Sequence, residues 1–216
     1  MSALLDRLRG QGYKTRLMRP LDEFWDRRLG VRTFGYIPAV GAPNAAAWQG
    51  HYEATSYRDL FRMLRRVGLG RDDVYVDLGC GMGRTVFVAN WLGARHAVGV
   101  EVNASLIGAC RANALRSHRD CRGVEFVQGY AQDFSQDETT VLFLFHPFGR
   151  GTLQTVIEGL GASLRAVPRR LRLVYFNAAC DDVLAASGFL RRIDRWEPGA
   201  DWNPSTGRYP ASFWET

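Results

Sequence analysis

The chain has 216 residues, a formal net charge of +6, 46% hydrophobic residues and 23% charged residues. Such a chain is long enough for one folded domain with a small appendage, and too apolar to be disordered. Its longest apolar stretch, around Val141–Phe145, falls far short of the ~20 residues that cross a bilayer, and Asp6, Arg7 and Arg9 interrupt the only apolar stretch near the N-terminus, against a secretory signal.

The four cysteines, Cys80, Cys110, Cys121 and Cys180, include no C-x-x-C pair. That spacing speaks against zinc, and no metal site is expected. A chain of this length needs no disulfide staples, and free thiols fit a reducing cytoplasm. Among 28 basic residues only Lys14 is a lysine, and the arginines are scattered rather than gathered in a tract. The positive charge therefore reads as compositional, and neither nucleic acid nor a membrane is expected as a partner.

Before residue 50 the pattern predicts two short helices, near Ala3–Arg9 and Leu21–Leu29, with Phe34, Tyr36, Pro38, Pro43 and Trp48 around and after them. The chain divides there, into a helical extension or lid over 1–50 and a main domain over 51–216. Ser56 and Asp59 have the spacing of a capping box, and Leu60, Phe61, Leu64 and Val67 share one face of the helix that follows. Asp73–Leu78 reads as the first central strand, Arg84–Leu92 as a helix and His96–Val102 as the second strand. Leu106, Ile107, Cys110 and Ala114 line one helix face, and Val124–Gln128 is the third strand. Thr140–Phe145 is the fourth, apolar throughout as a strand buried on both faces should be. A helical stripe (Leu153, Val156, Ile157, Leu160, Leu164), a fifth strand at Leu171–Phe176 and a short helix at Asp181–Ala186 follow. Phe189–Trp196 and Arg208–Trp214 read as two last strands with a long loop between them. This alternation predicts an α/β fold: a doubly wound, mostly parallel, seven-stranded sheet. Ligands of such sheets sit at the carboxyl ends of the strands, where the strand order reverses.

Chemistry-bearing residues gather after the predicted strands. Asp77-Leu-Gly79-Cys-Gly81-Met-Gly83-Arg-Thr85 leaves strand one and opens a helix. Glycines there let a ligand approach the main chain. The G-x-G-x-x-G spacing of dinucleotide sites fails, because Gly83 comes one position early and Arg84 stands where that pattern needs glycine. Asp77 would repel a pyrophosphate and attract an α-ammonium group. Glu101, which lies 18 residues after Gly83 near the end of strand two, has the place and chemistry to accept hydrogen bonds from both hydroxyls of a ribose. Asn103 is positioned to cap the next helix.

With the segments VYVDLGCGMGRT, AVGVEVNASLIGACRANA, VEFVQGYAQDF and TVLFLFHPFG in this order, the chain from about Tyr52 onward resembles the class I, Rossmann-like methyltransferases that use S-adenosylmethionine. The resemblance implies that Asp77, Gly79 and Gly81 hold the methionine end, with Cys80 contributing its backbone. Tyr52 and Thr55 would close over that end. Glu101 and Val102 would hold the ribose, and Tyr130 and Ala131 would frame the adenine. Tyr130 replaces the aspartate of the common Gly-Asp-Ala form. After strand four the family often carries Asn-Pro-Pro-aromatic, and a looser group Asn-Pro-Phe-Gly; this chain reads His146-Pro147-Phe148-Gly149. His146 is the candidate catalytic residue, as a general base or as a contact. Phe148 and Asn177 are candidate acceptor contacts. The implied function is methyl transfer to an O or N atom of a small-molecule or peptide acceptor in the cytoplasm. A protein-lysine or RNA methyltransferase is the alternative within the class; a nicotinamide-dependent oxidoreductase and a non-catalytic adenosyl-ligand-binding module are those outside it.

Overall fold

The computed structural model describes residues 20–34, 36–37, 52–197 and 209–216. The expected helix at Ala3–Arg9, the positions Pro38, Pro43 and Trp48, and most of the loop between the last two strands lie outside these residues. Helix α1 runs through residues 20–29. It is followed by β1 (Tyr36–Ile37), β2 (Tyr52–Glu53), α2 (Tyr57–Arg66), β3 (Val74–Leu78), α3 (Arg84–Trp91), β4 (His96–Glu101) and α4 (Ala104–Arg116). The second half comprises β5 (Val124–Gln128), β6 (Val141–Phe145), α5 (Arg150–Ala166), β7 (Arg172–Phe176), α6 (Asp181–Ala185), β8 (Arg191–Trp196) and β9 (Ala211–Glu215).

Seven strands form one sheet in the order β5-β4-β3-β6-β7-β9-β8. The pairs from β5 through β7 are parallel, and β9 inserts antiparallel between β7 and β8. The order reverses between β3 and β6, so the loops leaving these two strands flank a crevice. Two apolar cores cover the faces, and period-two alternation feeds both. Val74, Val76 and Leu78 of β3 point to the core shared with α5 and α6. Tyr75 points to the other, shared with α2 and α3. Val141 and Phe143 of β6 join the second set, Leu142 and Leu144 the first, which explains why this strand is apolar at every position.

The structure refines several boundaries. Asp73 and Thr140 were expected inside strands one and four, but β3 and β6 each start one residue later. Their side chains tie the strand starts together instead: Thr140 Oγ1 donates to Asp73 Oδ1 at 2.8 Å, and Arg172 pairs with the same carboxylate. Strand β4 stops at Glu101, because Asn103 caps α4 by accepting from the Ser105 and Leu106 amides. Ser56 caps α2, accepting from the Asp59 amide at 3.2 Å. Two features were not expected: the short antiparallel β1–β2 ribbon and a 3-10 turn at Ala131–Asp133.

Helix α1 joins the domain through a buried charge. Arg84, the first residue of α3, is 2% exposed. Its Nη1 donates to Asp22 Oδ2 at 2.9 Å and to the Thr55 carbonyl at 2.8 Å, and its Nε donates to Thr33 Oγ1 at 2.8 Å. The guanidinium lies 4.4 Å over the Tyr57 ring. Asp26 accepts from the Thr33 amide and hydroxyl and from the Tyr57 hydroxyl. Trp25 packs on Phe61, with ring centroids 4.5 Å apart.

Candidate active site

The crevice begins at Asp77, next to last in β3 and 2% exposed. Its Oδ2 accepts from the Thr85 hydroxyl, while Oδ1 is buried with no hydrogen-bond partner among the described residues. Burial pushes the carboxyl up to about 7; the Thr85 hydrogen bond opposes this and the nearby Glu101 carboxylate adds to it.

The glycine loop then turns with three left-handed residues, Gly79, Gly81 and Gly83, at φ of 92°, 56° and 82°. Two of these positions also lack room for a side chain: a Cβ at Gly79 would overlap Pro147, and one at Gly81 would overlap the Tyr52 ring. Glycine there brings the β2 segment, the β3 loop and the β6 loop into contact. The Gly79 and Cys80 amides both donate to the Val100 carbonyl, at 2.8 and 3.0 Å, and the Cys80 carbonyl accepts from the Gly83 amide at 2.9 Å. The Cys80 backbone is thus engaged in holding the turn. The Gly81 carbonyl accepts from the Cys110 thiol at 3.1 Å.

Glu101 closes β4 beside this loop. Its Oε2 accepts from the Gly81 amide at 3.1 Å and its Oε1 from the Asn103 amide at 2.9 Å. Burial raises its carboxyl above the usual range, and the main-chain donors oppose the rise. Val102 follows in the turn to α4. Tyr52 sits across the loop with its hydroxyl donating to the Thr33 carbonyl at 2.7 Å. Thr55 is buried, its carbonyl engaged by Arg84. Beyond β5, Tyr130 is 51% exposed, and Ala131 packs at the edge of the α5–α6 core.

At the ends of β6 and β7 two non-glycine residues have positive φ, His146 at 38° and Asn177 at 54°. Such conformations persist only where the surroundings hold them, and they concentrate at functional sites. His146 Nδ1 lies 2.8 Å from the Tyr175 hydroxyl, with the two rings near parallel at 26°. Partial burial lowers the imidazole below its ordinary value. Phe148 packs against the α5–α6 core. The structure therefore brings together Tyr52, Asp77, Gly79, Gly81 and Glu101 around one loop, and sets His146 and Asn177 on adjacent strand ends. Sequence reasoning placed Arg84 and Thr85 in the glycine motif but gave them, and Tyr175, no role at the site. Thr85 had a signal, being the first hydroxyl after the glycines; the other two had none.

The residue span 47–142 matches the family model described as histone methylation protein DOT1, which is less than half of the chain. A 23S rRNA (uracil(1939)-C(5))-methyltransferase, RlmD, of Xanthomonas campestris pv. campestris is 30% identical over 122 residues, covering 55% of this chain and 26% of that protein. The RlmD of Stenotrophomonas maltophilia is 28% identical over 124 residues, with 56% and 26% covered. The chain thus spans about a quarter of the length of these curated relatives. Among solved structures, an RNA methyltransferase from Salinibacter ruber in complex with S-adenosyl-L-homocysteine superposes with a TM-score of 0.53 at 24% identity, covering 76% of this chain and 93% of that one. A precorrin-6y C5,15-methyltransferase from Geobacter metallireducens gives 0.56 at 18% identity, with 83% and 97% covered.

The chain shares the fold of these methyltransferases. The Salinibacter ruber protein binds S-adenosyl-L-homocysteine, and one feature here suits the ammonium group of such a ligand: the buried Asp77 Oδ1 has no hydrogen-bond partner among the described residues. Among the described residues, no three His, Cys, Asp or Glu side chains group closely enough to hold a metal ion, and no helix is long and apolar enough to cross a membrane.

Proposed function

We propose that the chain catalyses transfer of a methyl group from S-adenosylmethionine to an N or O atom of a small-molecule or peptide acceptor. The observation that carries this reading is the unpartnered Oδ1 of buried Asp77 at the mouth of the glycine turn. A buried carboxylate with an unmet lone pair calls for a cationic or hydrogen-bonding partner. In this reading Asp77, Gly79, Cys80 and Gly81 receive the methionine end, with Tyr52 and Thr55 behind them. Glu101 and Val102 receive the ribose, using lone pairs beyond those the Gly81 and Asn103 amides occupy. Tyr130 and Ala131 border the adenine. S-adenosylmethionine supplies an electrophilic methyl group; the protein orients the acceptor and excludes water, the task of His146, Phe148 and Asn177. In the same reading, residues 51–216 are the methyltransferase domain and residues 1–50 a helical extension or lid. The enzyme works in the cytoplasm.

RNA is the second reading of the acceptor. It is favoured by the curated relatives, whose names specify 23S rRNA, and they count against the expectation that nucleic acid is not a partner. The test is transfer of labelled methyl from S-adenosylmethionine to three acceptor pools: small metabolites, peptides and rRNA fragments. Labelled metabolites or peptides support the first reading, and label confined to RNA replaces it with the second. Saturable cofactor binding with no transfer to any pool would favour a non-catalytic binding module.

A further inference from the structure

The arginines are scattered along the sequence, but the fold gathers some of them. Helix α1 gives way to Gly30, with φ of 76°, where a Cβ would lie 2.6 Å from the Arg116 carbonyl and 2.7 Å from the His118 ring. The His118 amide donates to the Leu29 carbonyl at 2.9 Å. The end of α1 is thereby seated against the end of α4, and a cavity of about 530 Å³ opens at this junction. That volume lies within the ~300–1,000 Å³ of ligand pockets.

Arg27, Arg32, Arg116 and His118 line the cavity, and all four are exposed. Arg28 and Arg119 adjoin them and stack on one indole, with their guanidinium carbons 4.9 and 5.2 Å from the Trp91 ring centroid. These two cations are therefore within about 10 Å of each other, a distance at which exposed charges still repel. Among the described residues, none of Arg27, Arg28, Arg32, Arg116 and Arg119 forms an ion pair with a carboxylate. By contrast, the arginines beside β8 and β9 hold carboxylates: Arg170 and Arg191 pair with Glu215, and Arg192 and Arg195 with Asp181. Two carboxylates share the cavity wall, Glu23 and Asp26. Asp26 is turned inward: it accepts from the Thr33 amide and hydroxyl, the Phe34 amide and the Tyr57 hydroxyl, and Arg84 Nη2 lies 3.9 Å away. Glu23 offsets one positive charge at most, so the groove keeps a positive excess.

We propose that the groove between α1 and α4 binds a single-stranded nucleic acid, with one nucleotide entering the cavity and the arginines receiving the neighbouring phosphates. An arginine fork matches two phosphate oxygens through parallel hydrogen bonds. The cations extend from the cavity across Trp91, which suits successive phosphates of a chain better than one isolated anion. A single strand can turn a nucleotide into a cavity, whereas a duplex keeps its bases stacked inside. An anionic lipid surface is flat and leaves a concave wall unfilled. This inference goes beyond the methyl-transfer reading, because a strand held here need not be the methyl acceptor.

The test is fluorescence anisotropy of a labelled single-stranded RNA of about 12 nucleotides, titrated with the full chain at about 50 and 200 mM salt without cofactor. Saturable binding is expected. With about five phosphates neutralised, affinity should fall about a hundredfold between the two salt concentrations. Arg27→Glu combined with Arg32→Glu should weaken binding at the lower salt about tenfold or more. Arg165→Glu combined with Arg170→Glu makes the same change of net charge in and just after α5, against the other core, and should alter binding less than about threefold. Arg119→Glu, outside α1, provides the same test where the first pair fails to fold. Absent binding by the parent at the lower salt, or equal losses in the two pairs, overturns the proposal. So does tighter binding to phosphatidylserine vesicles than to the RNA, which would make this face a lipid contact. Because no cofactor is present, failure here leaves the methyltransferase reading standing, and failure of methyl transfer leaves this site standing.

Discussion

Replacing Arg84 with methionine tests how the first helix is held to the cofactor loop. The substitution keeps much of the side-chain length and deletes the charge. It leaves Asp22 and Asp26, 6% and 8% exposed, without their cation, and it strips a hydrogen bond from each of Thr33 and the Thr55 carbonyl. Removing one partner of a buried ion pair costs about 3–5 kcal/mol, because the remaining charge stays desolvated. Against a typical domain stability of about 5–15 kcal/mol this is a large fraction. With a urea dependence of about 2 kcal/mol per M, the unfolding midpoint should fall by about 1.5–2.5 M. Adding Asp22→Asn and Asp26→Asn to Arg84→Met should restore most of the loss, since an uncharged network no longer buries unpaired ions. The assay is urea unfolding followed by circular dichroism and by tryptophan fluorescence, with coincident transitions required. A midpoint within about 0.3 M of the parent would refute the argument, because it would mean less than about 1 kcal/mol resides in this network.

Gly81→Ala should lose about 1–3 kcal/mol of stability from its φ of 56° and the clash with Tyr52, and should weaken S-adenosylhomocysteine about tenfold or more by calorimetry. Asp77 makes stability and ligand binding depend on pH. Its carboxyl is raised to about 7 in the folded chain, against roughly 3.9 when unfolded, so the native state binds the extra proton between these values. Stability should accordingly fall as pH rises from roughly 4 to 7, and Asp77→Asn should remove that slope in urea titrations. An α-ammonium group beside Asp77 favours the ionised carboxylate, so S-adenosylhomocysteine should bind more tightly as pH rises through about 7, with proton release seen as buffer-dependent heat. Asn177→Val should cost about 1–3 kcal/mol in thermal unfolding, because a β-branched residue resists a φ of 54°, whereas Asn177→Gly should stay within about 1 kcal/mol of the parent.

What could be read from the sequence were features with a local signature. The apolar runs gave the strands, the glycine run after Asp77 marked the crevice, and Ser56 and Asn103 announced their helices as caps. The β1–β2 ribbon left no trace because two-residue strands are too short for a period to register. Arg84 gave no sign of its partners, since Thr33 lies 51 positions away and Asp22 lies 62. Tyr175 reads from its neighbours as one more core residue of an apolar strand; only the fold sets its hydroxyl against His146, 29 positions earlier. Asp73 and Thr140 were placed in strands because their segments are β-rich, whereas the structure uses their polar side chains to tie the strand starts together. On the proposed methyltransferase reading, the acceptor contacts are the least legible, because transfer from a reactive sulfonium demands positioning more than a fixed set of catalytic groups.

The measurement that bears most directly on the central claim is a calorimetric titration of the purified chain and of Asp77→Ala with S-adenosylhomocysteine, S-adenosylmethionine and NADH. Saturable binding of both adenosyl ligands to the parent, no binding of NADH, and loss of adenosyl binding in a folded Asp77→Ala variant are the predicted results. Binding of NADH by the parent, or adenosyl affinity unchanged in Asp77→Ala, would contradict the assignment of the glycine turn and Asp77 to the methionine end of S-adenosylmethionine.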